Sequence, residues 1–125
     1  TANGVADRVE VGGQMEHADF DICARQKTLV VCDIEAAEAE LLDPVRAPGL
    51  RSADILVEAH DCMRPGISHL IAERFKATHH IRLIGRRIDD AGLPDWMESL
   101  SDLDRLVALW EWRSGPTPWL WMVKK

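Results

Sequence analysis

The chain has 125 residues, 46% of them hydrophobic and 29% charged, enough for one domain with a core of its own and far from the low hydrophobicity of a disordered segment. A formal net charge of -6 argues against a phosphate backbone as the main partner, because nonspecific nucleic-acid affinity comes from clustered Lys and Arg. The longest apolar runs fall well short of the ~20 residues that cross a bilayer, and the N-terminus lacks the charged-then-apolar pattern of a signal peptide. Cys23, Cys32 and Cys62 are an odd number in apolar surroundings without CxxC spacing. They fit a reduced, cytoplasmic setting better than a disulfide framework.

The chain opens at Thr1 without an initiator Met, which reads as a fragment or a chain whose start has been removed. The alternation Arg8-Val9-Glu10-Val11 predicts a short strand of about four residues. Gly12-Gly13 stops it, and Gln14-Met15-Glu16 follows as a loop able to face a ligand. From His17 to Gln26, Phe20, Ile22 and Cys23 recur at mixed spacing, and a short helix is expected. Leu29 to Ile34 is a continuous apolar run with β-branched residues, the pattern of a central strand buried on both faces. Ala36 to Asp43 is rich in helix formers and ends at Pro44. Ile55 to Ala59 is the next strand, and Ile67, Leu70, Ile71 and Phe75 mark the clearest amphipathic helix. His80 to Ile84 is a further strand, followed by a loop through Arg86-Arg87, Asp89-Asp90, Gly92 and Pro94. Leu100, Leu103, Val107 and Trp110 define a late helix capped near Ser101 or Asp102, with Trp110 expected in the core. Trp119 to Val123 predicts a last strand, whose closing Lys124-Lys125 would discourage edge pairing. Trp112, Trp119 and Trp121 are expected to cover an edge or an interface. This alternation of strands and helices implies a single α/β domain with helices on the faces of its sheet.

The candidate chemistry sits where strands end. Asp33 and Glu35 fall near the carboxyl end of the Leu29–Ile34 strand, the end at which ligands bind in open parallel sheets. Glu58, His60 and Asp61 occupy the same end of the next strand. An imidazole titrates near neutrality and a carboxylate neighbour can orient it, so His60 is a candidate general base. Asp33 is either a functional carboxylate or a cap for the following helix. Helix-start electrostatics are the simpler account of Glu35 and Glu38. Asp33, Glu35, His60 and Asp61 together form an alternative set of ligands for a divalent cation, since hard cations favour carboxylate oxygens. His79 and His80 point to opposite faces of a strand and cannot share a metal by themselves.

Two stretches resemble class I S-adenosylmethionine-dependent methyltransferases. Asn3-Gly4-Val5-Ala6-Asp7-Arg8-Val9-Glu10-Val11 is similar to the family's third strand and its approach, and Cys32-Asp33-Ile34-Glu35-Ala36-Ala37-Glu38 resembles the Asp-x-Glu-Gly-x-Glu stretch after the fourth strand in the FkbM-like branch. The resemblance implies a Rossmann-like, mostly parallel sheet whose last strand is antiparallel and inserted beside the fifth. It implies S-adenosylmethionine as cofactor, its adenine meeting Gly13, Gln14 and Met15, and Asp33 beside the reactive methyl end or orienting an acceptor. With Asp33 and His60 as the catalytic pair, Glu35, Glu58 and Asp61 are the candidate substrate contacts, and the acceptor is an oxygen or nitrogen nucleophile.

The departures are as informative. The sequence holds neither the Gly-rich loop after the family's first strand nor the acidic residue ending its second, and Ala36 stands where the family has Gly. On this reading the chain is the C-terminal two-thirds of a methyltransferase-like domain, inactive alone or active on association. Without a first strand, Leu29–Ile34 would have an open edge, to be filled by Arg8–Val11 or covered by a second copy or another partner. The reading from another class is a noncatalytic α/β module whose exposed edge and Trp-rich segment mediate self-association or partner binding.

Overall fold

The computed structural model describes residues 3–85, 92–110 and 113–125. Four strands, β1 (Leu29–Cys32), β2 (Asp54–Glu58), β3 (His79–Ile84) and β4 (Trp119–Lys124), form one mixed sheet in the order β1-β2-β4-β3. β1 and β2 are parallel, while β4 runs antiparallel to both of its neighbours, β2 and β3. Among the described residues three α-helices accompany them, α1 (Glu38–Leu41), α2 (Ile67–Phe75) and α3 (Asp102–Leu109). The molecule is thus an α/β fold in which the last strand lies inside the sheet.

The register sorts the strand residues into two faces. Cys32 pairs with Val57, Val57 with Leu120, and Ile55 with Met122, and all five side chains are buried. Helix α2 supplies Ile67, Ile71 and Phe75 to the same core, where they join Phe20, Leu42 and Leu50. This helix has the i, i+4, i+8 apolar stripe that packs on a sheet. Its start is set by Gly66, which takes φ 90 at the N-cap, a conformation that costs glycine little. The core also depends on a close backbone approach at Gly49, where a Cβ would stand 2.0 Å from the carbonyl oxygen of Phe20.

The opposite face carries Leu29, Val31, Leu56, Trp119, Trp121 and Val123 by the same register, and these side chains are exposed or half-buried. Helix α3 buries none of its residues, and Trp110 at its end is exposed rather than in the core. Its start does follow the sequence: the Ser101 side chain accepts from the Asp104 backbone N–H in a capping box.

Several expectations need correction. Arg8–Val11 is no strand: a 3-10 turn at Ala6–Arg8 leads into unpaired backbone, with Val9 and Val11 exposed. Alternation alone forms a strand only where the segment pairs with a neighbour, and Arg8–Val11 does not. Residues Arg8–Val11 therefore do not fill the open edge. Leu29–Ile34 is not buried on both faces, because β1 is an edge strand with Leu29 54% and Val31 62% exposed. The short helix expected between His17 and Gln26 is present, as a 3-10 helix over His17–Ala24. The predicted Ala36–Asp43 helix shrinks to α1, since Glu35 and Ala36 have positive φ and Leu42 leaves helical geometry. Lys124 and Lys125 close an interior strand, so they guard no edge, and Trp119 and Trp121 sit within the sheet. The loop at Arg86–Asp90 and the role of Trp112 lie outside the described residues.

Candidate functional site

Parallel pairing of β1 with β2 brings their carboxyl ends side by side, with Cys32 opposite Val57. The chain leaving β1 then makes a tight bend. Glu35 (φ 54) and Ala36 (φ 73) are the two non-glycine residues with positive φ among the described residues, and each such residue costs roughly 1–2 kcal/mol. Strain of this kind persists only where surrounding contacts impose it, and it gathers at functional sites. Here the bend turns Glu35 towards β2 and lets Glu38 enter the core at the first turn of α1.

Glu38 is fully buried, and its Oε1 accepts from His60 Nδ1 at 2.6 Å and from the Ala36 backbone N–H at 3.1 Å. With Glu38 as a carboxylate, which has no proton to donate, Nδ1 is the ring nitrogen that carries the proton in this contact. His60 is itself only 1% exposed. Its Nε2 has no hydrogen-bond partner among the described residues. That atom faces Asp33 Oδ1 at 3.6 Å and Glu35 Oε2 at 3.5 Å, both beyond hydrogen-bond length. Asp33 and Glu35 are exposed, so the group is reached from solvent on the carboxylate side and closed on the imidazole side. The local field is negative. Burial first, and then the charges of Glu38 and Asp33, push the Cys32 thiol up to about 12, so this cysteine is no nucleophile at neutral pH.

The other sequence candidates separate from this group. Asp61 accepts from the Ser68 backbone N–H at 2.9 Å and from the Ser68 hydroxyl, which makes it the side-chain cap for the first turn of α2. Glu58 is buried and ion-paired to Arg113 at 3.0 Å. His79 is buried between Thr78 and the Ala53 carbonyl while His80 is exposed, so the two do face opposite ways. Gln14 and Met15 line a cavity of about 330 Å³ with Ile34, Ala37 and Leu41, and Gly13 is exposed and outside that lining. Met15, Ile34 and Leu41 also border a second cavity of about 310 Å³ along β1. A larger cavity, about 390 Å³, opens beside Thr28 and Asp54 at the other end of the sheet. It shares no residue with the acid–histidine group.

The amide of Gln14 and the thioether of Met15 suit the edge and face of a flat heteroaromatic ring. They fit one end of S-adenosylmethionine. With no Gly-rich loop in the sequence, the residues present do not complete a site for the rest of that molecule.

Glu38 is the participant that sequence reasoning missed as part of the site. A signal for it existed: Glu38 stands four residues before Leu42, on the stripe that faces the core, and both are fully buried. Arg74 of α2 explains how so short a helix holds its place. Its guanidinium donates to the Ala39 and Leu42 carbonyls at the end of α1 and lies 3.7 Å from Asp43. No helix of the described residues is long and apolar enough to cross a membrane. In comparisons with known proteins, no family model, no curated protein and no solved structure matches the chain.

Proposed function

We propose that this chain is the acceptor-side part of a methyltransferase-like α/β domain, related to enzymes that transfer a methyl group from S-adenosylmethionine to an oxygen or nitrogen nucleophile. One observation carries the reading. Asp33, Glu35 and His60 meet at the carboxyl ends of two adjacent parallel strands, in a sheet whose last strand runs antiparallel between the second and third. The antiparallel insertion is the arrangement that the resemblance leads one to expect, and the positive φ of Ala36 explains why a glycine would suit that position.

An acceptor hydroxyl or amine must lose a proton as it takes a methyl group. The group at the strand ends is suited to handle the acceptor's proton. Glu38 fixes the tautomer of His60 and stabilises added positive charge, while Nε2 presents a free lone pair to the open side. Asp33 and Glu35 orient a hydroxyl or amine approaching from solvent. The test is a calorimetric titration of the chain with S-adenosylmethionine. Saturable binding weakened by Gln14→Ala or Met15→Ala supports the reading, and no binding by folded protein refutes it for this chain.

A second reading rests on a different observation. Leu29 and Val31 on the edge strand β1, and Leu103, Val107 and Trp110 along α3, leave apolar side chains exposed. An open apolar edge of this kind suits self-association or a partner that adds a strand. Light scattering over a concentration series tests it: a monomer at all concentrations, unchanged by Val31→Lys, counts against self-association.

A further inference from the structure

Three ligand-type atoms, His60 Nε2 and one carboxylate oxygen each from Asp33 and Glu35, lie within 4.8 Å of one another. Acidic clusters on protein surfaces are common without any ion, so the cluster alone decides nothing. The imidazole supplies the second observation: Nε2 is buried, lacks a hydrogen-bond partner among the described residues, and is aimed at the two carboxylates. A buried polar atom without a partner costs about 1–3 kcal/mol. Burial of His60 in this orientation therefore calls for a ligand on its open side.

The distances say what kind. A direct hydrogen bond would bring Nε2 to within about 3.2 Å of an oxygen, yet both carboxylates stand off, at 3.5 and 3.6 Å. Atoms bonded at about 2.0–2.2 Å to one four-coordinate cation stand roughly 3.4 Å apart. The two nitrogen–oxygen distances are those of atoms bridged through a centre. The other ring nitrogen is held by the buried Glu38, the carboxylate–histidine–metal arrangement that fixes the tautomer and raises ligand basicity. One nitrogen and two oxygens suit a first-row cation better than Mg²⁺ or Ca²⁺, which prefer oxygen alone.

We propose that Asp33, Glu35 and His60 form a mononuclear site for a divalent first-row cation of the zinc type, supported by Glu38 and keeping a fourth position open to solvent. Three protein ligands and one open position are the pattern of a site that acts on a bound molecule rather than one that only braces a fold. Only the use of the cation rests on the methyl-transfer reading: an acceptor oxygen at the open position would be polarised there, and its proton would pass more easily to solvent water on the exposed side. On the loaded protein, coordination takes the place of proton transfer to Nε2.

The test is a calorimetric titration of the whole chain with Zn²⁺ at neutral pH, without S-adenosylmethionine, repeated with Co²⁺ followed by visible absorption. The expected results are one tight equivalent, a rise in melting temperature, and the intense absorption of four-coordinate Co²⁺. Because Asp33 and Glu35 are exposed, Asp33→Asn and Glu35→Gln should fold normally, and together they should weaken binding at least tenfold. Glu38→Gln should weaken it by about 10- to 100-fold. Folded wild-type chain with no saturable Zn²⁺ binding would overturn the site, as would a six-coordinate Co²⁺ spectrum or undiminished binding by the Asp33→Asn/Glu35→Gln chain. Failure of the site leaves the cofactor titration to decide methyl transfer by itself, and the converse also holds.

Discussion

Replacing Glu38 is the perturbation whose energy follows most directly from the geometry. In Glu38→Ala the buried His60 Nδ1 loses its acceptor at 2.6 Å and the Ala36 N–H loses its own at 3.1 Å. Leaving a buried donor without its acceptor costs about 1–3 kcal/mol for each of the two. Against this stands a relief term, since Glu38 Oε2 is buried without a partner and its desolvation cost disappears with the side chain. The relief removes about 1 kcal/mol, leaving a net loss of about 1–5 kcal/mol. For a domain whose whole stability is about 5–15 kcal/mol, that is a large share. Glu38→Gln keeps an acceptor oxygen for both donors and forfeits only the charge assistance, a loss of about 1 kcal/mol. The double change Glu38→Leu/His60→Leu removes both polar partners and should cost less than Glu38→Ala alone. Urea unfolding followed by tryptophan fluorescence reads all three as midpoint shifts at constant slope. The reasoning fails if Glu38→Ala lies within 0.5 kcal/mol of the wild type, or if Glu38→Gln is as damaging as Glu38→Ala.

Ala36 at φ 73 should be improved by glycine: Ala36→Gly is expected to stabilise the chain by about 0.5–1 kcal/mol, read by the same unfolding curves. Arg74→Met removes the donor that satisfies the α1 carbonyls and should cost about 1.5–3 kcal/mol; it should also loosen His60, visible as a broadened imidazole resonance. Cys32, with its thiol pushed up to about 12, keeps its proton in the folded state at pH values where the unfolded chain loses it. Its contribution to stability should therefore fall between about pH 9 and 12, by up to about 1.4 kcal/mol per pH unit, and Cys32→Ala should flatten that limb. Iodoacetamide at pH 8 should label the half-buried Cys62 well before Cys32.

Periodicity made the strongest elements legible. Ile67, Ile71 and Phe75 at helical spacing give α2 and its buried face, and the runs at β2, β3 and β4 appear within a residue or two of their expected bounds. Arg8–Val11 misled because alternation is only permission to form a strand, and pairing is a tertiary event. Leu29–Ile34 misled because a β-branched run reads the same whether both faces and both edges are covered or not. Short helices fared worst: α1 has four residues, too few to be stable by propensity, and is held by Arg74, which lies more than thirty residues away in sequence. Within the site, Asp33, Glu35 and His60 were legible from their place at strand ends. Glu58 and Asp61 share that place but are engaged by Arg113 and Ser68, partners that only folding brings near. Glu38 was read as helix-start electrostatics because a carboxylate in a first turn usually serves there.

The central claim is that His60 is held through Nδ1 by Glu38 and presents a free Nε2 to Asp33 and Glu35. Long-range proton–nitrogen correlation spectra of the imidazole test it most directly, read at a pH where the ring is neutral. The account predicts a protonated Nδ1 with a strongly downfield proton that moves upfield in Glu38→Gln, and an unprotonated Nε2 whose nitrogen resonance shifts on addition of Zn²⁺. A neutral ring protonated at Nε2, or a ring in fast exchange with no distinct Nδ1 proton, would contradict it.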